Sequence, residues 1–292
     1  MNNKRLKILS NSEINELYEL PQFSHSEQES YFSLSKKEYK TMTSRGSLAS
    51  KVHFILQLGY FKAASQFFNC RFSEVKKDID YILQEHFNDA KLNIKNISKE
   101  TRQSNQKLIA ELLGYKINKT KIKRKLSEFL RVKIQFQNNP IYLFQEILSY
   151  LDQNKLMLLG YSTLQDLIGD AISKEENRLG MLLEKYFMKE NWEIINGMLK
   201  MEKGQYVLTA LAKDPKSFRH NQITGEVKKL HDHQRFYQIS KKILPKLKLS
   251  NQNISYYASL AIHCVKPPQA HPIKSRDQSY ARRHKFPGRF VA

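Results

Sequence analysis

The order of apolar and polar positions predicts helices along most of the chain, with few stretches of strand-like alternation. The clearest pattern is Tyr31–Lys62, read as two helices joined by a tight turn. Ser35 caps the first helix, and Glu38 three residues on closes a capping box. Ser44-Arg45-Gly46-Ser47 makes the break, where Gly46 can supply a positive φ. The second helix is predicted from Leu48 to Tyr60. Val52, Ile55, Leu56, Phe54 and Tyr60 form its apolar side, leaving Lys51, Gln57 and Lys62 on other faces. Further S-x-x-E boxes are read at Ser10/Glu13, before a stop at Pro21, and at Ser26/Glu29.

Downstream, Ser73 is expected to cap a helix whose core face is Val75, Ile79, Ile82, Leu83 and Phe87. Lys91–Gln106 reads as a linker or a frayed helix start, and the helix through Leu108–Leu113 ends at Gly114, a C′ glycine. Asn118–Gln137 forms one helix or two short ones. Pro140 opens the next, where a missing N–H costs nothing. Breaks follow at Gly160 and near Asn191, with Ser162 capping Thr163–Met188. Later breaks fall at Asp214-Pro215 and at Pro245, taken as a stop. From Cys264 the periodicity vanishes and a disordered basic tail is expected. The fold class is therefore all-α, with two or three small helical domains and helix-turn-helix-like units. The expected divisions are 1–90, a basic linker and helix over 91–137, a second helical domain over 138–262, and a tail over 263–292.

Charge changes this picture. The 292 residues carry a formal net charge of +21, which implies an anionic partner, nucleic acid before membrane. The charge is also segregated. Residues 1–90 hold 12 Lys/Arg against 11 Asp/Glu, residues 91–133 hold 13 against 3, residues 134–202 hold 6 against 10, and residues 203–292 hold 18 against 4. Two basic blocks thus flank an acidic helical middle. Within the first, Lys119, Lys121, Lys123, Arg124, Lys125, Arg131 and Lys133 stand against one acid, Glu128, over a stripe of Ile122, Leu126, Phe129, Leu130 and Val132. A solvated helix face is the ordinary explanation, but like charges at i,i+4 repel. Phosphate contact explains the imbalance better.

Candidate chemistry is sparse. His231-Asp232-His233 does not put two ligands on one helix face, and Asp166, Asp170, Glu175 and Glu176 read as an acidic solvated face rather than a metal site. No P-loop, G-x-G-x-x-G, C-x-x-C or G-x-S-x-G occurs. Two cysteines, Cys70 and Cys264, give no disulfide framework and fit a reducing cytoplasm. No apolar run reaches transmembrane length and no secretion signal opens the chain. No catalytic residue, metal or cofactor is expected, nor a small-molecule substrate.

The opening, from Leu6 to Lys62, resembles the N-terminal region of Tn-three family replicative transposases. The likeness rests on Tyr31, Leu34, Ser35, Arg45, Gly46, Lys51, Phe54, Leu56, Gln57, Leu58, Tyr60 and Lys62. His53 and Ser50 depart from the family's preferred Gly and Asn, and the turn has one extra residue. The segments LLGYKINKTKIKRKL, ENRLGMLLEKYF and LKLSNQNISYYASLA resemble later helices, so the likeness extends less specifically to Ala261. It implies binding to double-stranded DNA at transposon terminal inverted repeats. The expected contacts are Arg45, Ser47, Ser50, Lys51 and Lys62 at the hairpin, with Lys119, Lys121, Lys123, Arg124 and Lys125 on phosphates. The catalytic RNase H-like domain of such enzymes is not in this sequence, which suggests a truncated copy, not itself an enzyme. Two alternatives stand beside this: an interaction or competitor protein that pairs with itself or with a full-length transposase, with the acidic residues 134–202 as its surface, and a non-specific nucleic-acid-binding helical protein.

Overall fold

The structure is a computed structural model that describes residues 5–92, 97–202, 205–208 and 219–265. Twelve helices are seen among these residues: α1 (Asn11–Tyr18), α2 (His25–Phe32), α3 (Lys36–Thr43), α4 (Leu48–Ala64), α5 (Lys76–Phe87), α6 (Lys99–Leu113), α7 (Lys119–Phe136), α8 (Pro140–Gln153), α9 (Tyr161–Tyr186), α10 (Lys189–Met198), α11 (His220–Leu247) and α12 (Asn251–Val265). Two two-residue strands, β1 (Met201–Glu202) and β2 (Gln205–Tyr206), pair antiparallel after α10. The fold is all-α as expected. No helix among the described residues is long and apolar enough to cross a membrane. The chain forms two compact units, Met1–Glu128 with Phe144–Leu167, and Phe129–Leu143 with Ile168–Ala292.

The first unit is built around α4, against which α2, α3, α5 and α6 pack. Every residue from Val52 to Phe61 is buried. The predicted split of this helix into an apolar side and polar faces is therefore corrected. Gln57 lies inside, donating from Nε2 to the Phe68 carbonyl (3.0 Å) and accepting from the Phe68 N–H (3.3 Å). Tyr60 donates to Asp78 Oδ2 at 2.6 Å, and Gln28 donates to Asp78 Oδ1 at 2.7 Å, so a buried carboxylate is held by two neutral donors. Gly59 lets α2 approach closely, since a Cβ there would lie 2.5 Å from the Phe32 ring. Upstream, the Tyr161 hydroxyl accepts from the Ile8 and Leu9 N–H groups, and Arg5 pairs with Asp166 at 2.8 Å, fixing the leading segment to the start of α9.

Local signals were largely obeyed. Capping boxes form at Ser10/Glu13 and Ser35/Glu38. The one expected at Ser26/Glu29 forms instead at Ser24/Glu27, two residues earlier. That register places Phe32 and Gln28 inside, which the overlapping motif cannot reveal. Ser73 does not cap α5. Val75 occupies that place without a side-chain bond, and the preceding turn closes through Glu74, which accepts from the Arg71 N–H at 2.8 Å. Gly46 has no positive φ and its Cβ position is open, so the turn does not need a glycine. Gly114 does, at φ 74°.

Lys91–Gln106 includes the first half of α6, capped by Ser98, and α7 is one helix. The break expected near Asn191 falls at Phe187–Met188, and α9 begins at Tyr161, before Ser162.

The second unit has its core at Leu179, Leu183, Ile243, Leu247 and Tyr257, with Phe187 and Trp192 packed against it. Asn253 bonds the Ile134 and Gln135 carbonyls at the end of α7 and accepts from the Asn138 N–H at 2.5 Å. Glu175 is buried, not solvated, and accepts two bonds from Arg178, whose guanidinium also reaches the Leu247 carbonyl. Pro245 does not stop α11. Ile243 and Leu247 on either side of it are buried, and the helix ends only at Lys248, in a left-handed conformation. The Asp214-Pro215 break and the tail beyond Val265 lie outside the described residues.

Close packing at Gly59 and open space at Gly46 give opposite expectations. Gly59→Ala should destabilise by about 1–3 kcal/mol despite its gain in helix propensity, because Phe32 must leave its rotamer. Gly46→Ala should stay within about 0.5 kcal/mol of the parent. Urea unfolding of the two variants checks this, and equal effects would contradict the geometry.

Candidate nucleic-acid interface

Two basic places in the first unit collect the residues that the sequence pointed to. One is the entry to α4. Ser47 caps this helix by accepting from the Ser50 N–H at 3.2 Å, and the first turn contains no acid. Arg45 is half-buried and braced. Its Nε donates to Ser50 Oγ (3.4 Å) and one terminal nitrogen donates to Ser104 Oγ on α6 (3.1 Å). Arg102 reaches Asn69 close by. Ser47 is exposed and Lys51 partly so.

Beneath this entry lies a buried polar pair. Asn105 donates to the Ser50 carbonyl and to His53 Nδ1, both at 3.0 Å, so the imidazole must present a lone pair there. Burial, reinforced by the Arg102 charge, pulls the His53 pKa down to about 4. Asn105 and Arg102 were not singled out from the sequence, and His53 only as a departure from the family's glycine. The only signal was a histidine interrupting apolar helix positions.

Not every expected contact faces outward. Ser50 is 4% exposed and is spent on Arg45 and Asn105. Lys62 lies between the Ser33 carbonyl (3.2 Å) and Glu38 (3.1 Å). Burial opposes ionisation of Glu38, but its bonds from Ser35 and Lys62 outweigh that and hold its pKa below the usual carboxylate value. Lys62 therefore joins the end of α4 to the start of α3.

The second place is the first half of α7. Asn118 Oδ1 accepts from the Lys121 N–H at 3.0 Å at its start. Ile122 and Leu126 are buried, which leaves Lys119, Lys121, Lys123 and Arg124 exposed and Lys125 partly so. The first turn has no acid. Glu128 approaches Arg124 only to 4.0 Å, with both side chains more than two-thirds exposed, an arrangement of little energetic weight. Cations at a helix N-terminus oppose the macrodipole, which puts about half a positive charge at that end. The helix and its side chains together thus concentrate positive potential where backbone N–H groups also point outward.

Among the described residues no three His, Cys, Asp or Glu side chains come together in a group able to hold a metal ion. Residues 8–171 match a family described as a domain of unknown function, DUF4158, over more than half of the chain. The chain belongs to the DUF4158 family. The DUF4158 segment starts just before the Ser10 cap and ends inside α9, close to Leu167, where the first unit ends. Both basic places fall within it. No curated protein matches the chain.

The buried imidazole gives a pH test. An unfolded histidine titrates near 6.5, so below that pH the unfolded chain takes up a proton that His53 refuses until about pH 4. Stability should fall as pH drops through this window, by about 2 kcal/mol between pH 6.5 and 5 from this residue. His53→Gln, which keeps an acceptor for Asn105, should flatten that slope. Denaturant unfolding at stepped pH measures it, and an unchanged slope would remove His53 as the cause.

Proposed function

We propose that this chain binds double-stranded DNA through the first unit, as the end-binding part of a transposition system. The observation that carries the reading is the exposed cation row of α7, placed against the polarity of its own helix and, among the described residues, with only the 4.0 Å Arg124–Glu128 pair as an acidic contact. Lys119, Lys121, Lys123 and Arg124 supply phosphate contacts, and Lys125 lies at the edge of the row. Arg45, Ser47 and Lys51 at the entry to α4 supply contacts nearer the bases. Since Val52 to Phe61 are buried, α4 meets DNA through its N-terminal end, which Ser50 helps to position, while Lys62 ties the far end of α4 to α3. Phosphate contacts set register and affinity, while base contacts set specificity.

The assignment to transposition rests on the resemblance of Leu6–Lys62 to Tn-three family transposases, with which DUF4158 domains are associated. It names the terminal inverted repeats of such an element as the target.

Binding should be strongly salt-dependent. If 6–10 phosphates are neutralised, affinity falls by roughly 10³–10⁵ between 50 and 200 mM salt. Lys121→Ala with Arg124→Ala should lower the salt slope by about 2 and weaken all sequences alike. Lys51→Ala should instead narrow the gap between inverted-repeat and random duplexes. Fluorescence anisotropy on both duplexes reads these quantities. A weak salt dependence, or the same behaviour from both variants, would contradict the division of labour.

Lys121→Glu adds a test of sign. Placing an acid in the first turn of α7 should stabilise the fold by about 0.3–1 kcal/mol while weakening DNA binding. A purely structural role for Lys121 would move stability the other way and leave binding unchanged.

A further inference from the structure

Helix α11 has two apolar faces on opposite sides. One carries Ile239, Ile243 and Leu247 into the core of its own unit. The other carries Ile223, Val227, Leu230 and Tyr237, which are 51%, 63%, 68% and 58% exposed. Their spacing, with Gln234 completing it, is four, three, four, three, the 3.5-residue repeat of a two-stranded coiled-coil seam. A surface row of this length and regularity is unusual for a helix that only covers its own core.

We propose that α11 pairs with α11 of a second copy of this chain, parallel and in register, through the seam Ile223, Val227, Leu230, Gln234 and Tyr237. The charges fit that occupant. Lys228 and Arg235 lie outside the seam, so from Ile223 to Tyr237 two copies approach without facing like charges, and Lys241 marks where the pairing stops. A parallel register sets Glu226 of one copy, whose Oε1 already accepts from Lys229 of its own helix at 2.7 Å, with its second oxygen opposite His231 of the other, and His233 opposite Gln238. It also sets Gln234 against Gln234, where the two amides can bond. An antiparallel pairing layers the Val227/Gln234 positions on the Ile223/Leu230/Tyr237 positions, puts each Gln234 against Ile223 or Leu230 and leaves the amide buried without a partner, so the polar position selects the parallel form.

The seam ends where α11 enters its own core. Lys241 follows in the repeat, and its ammonium lies 6.0 Å from the Tyr237 ring. Because the C-terminal turns are already anchored, pairing does not bear the cost of starting a helix. The pairing is independent of the DNA reading, since none of the proposed phosphate contacts lies on α11.

Sedimentation equilibrium of the whole chain, from about 1 to 100 μM, should show a monomer–dimer equilibrium. Leu230→Glu should shift it to monomer without loss of thermal stability, since Leu230 is mostly exposed. A cross-linking arm does not depend on that variant. In a Cys70→Ser, Cys264→Ser background, Leu230→Cys should form a disulfide-linked dimer under mild oxidation, and Lys228→Cys should not. A chain that stays monomeric throughout, a dimer indifferent to Leu230→Glu, or equal cross-linking at 228 and 230 would each overturn the proposal.

Discussion

The enclosure of α4 governs the first unit. Ten consecutive residues, Val52 to Phe61, lie out of contact with water, so every polar group among them needs an internal partner and every neighbour must fit. Gln57 is met by a backbone turn, Tyr60 by Asp78, and His53 by Asn105. Gly59 removes a side chain where Phe32 arrives. The helices that surround α4 then have one apolar side each and are free to be polar on the other. A helix buried all round cannot itself read a groove. On the proposed reading, contact with DNA falls to the part-exposed start of α4, at Ser47 and Lys51, and to the outer helices.

That constraint also explains which parts of the sequence were readable. Capping boxes are local, and Ser10, Ser35 and Gly114 act as their neighbours indicate. At Ser24-His25-Ser26-Glu27-Gln28-Glu29 two overlapping boxes satisfy the same local rule. Only the need to bury Phe32 chooses between them. Gln57 and Lys62 were read as outward because a helix with an apolar side usually has a wet one. Here the tertiary packing closes the wet side, and helical period alone carries no information about that. Pro245 fails as a stop for a related reason, since burial of Ile243 and Leu247 outweighs a lost backbone bond.

The candidate interface was legible in a different way. Charge imbalance over residues 91–133 survives any uncertainty about helix register, because exposure of long cationic side chains is the rule. The sequence therefore indicated an exposed cation row, which the structure places on α7. It could not tell Lys62, with a carboxylate and a carbonyl to hold, from Lys121, which has neither among the described residues. Nor could it find the Arg45–Ser104 brace or the Asn105–His53 pair, which join residues more than fifty positions apart.

Helix energetics separate a charge that holds a fold from one that meets a partner. A structural cation on a helix belongs near its C-terminus or four residues after an acid. Arg178 follows the principle behind this, paired to Glu175 and to the carbonyl that ends α11. Lys119, Lys121 and Lys123 do the reverse, crowding the positive end of α7 with no acid in its first turn. Each costs the helix roughly a few tenths of a kcal/mol against the macrodipole. An anion laid across that end reverses the sign of every one of these terms at once. On the proposed reading, the residues that weaken the free helix would hold the bound one, and phosphate, with its regular spacing along a duplex, would meet them as a row.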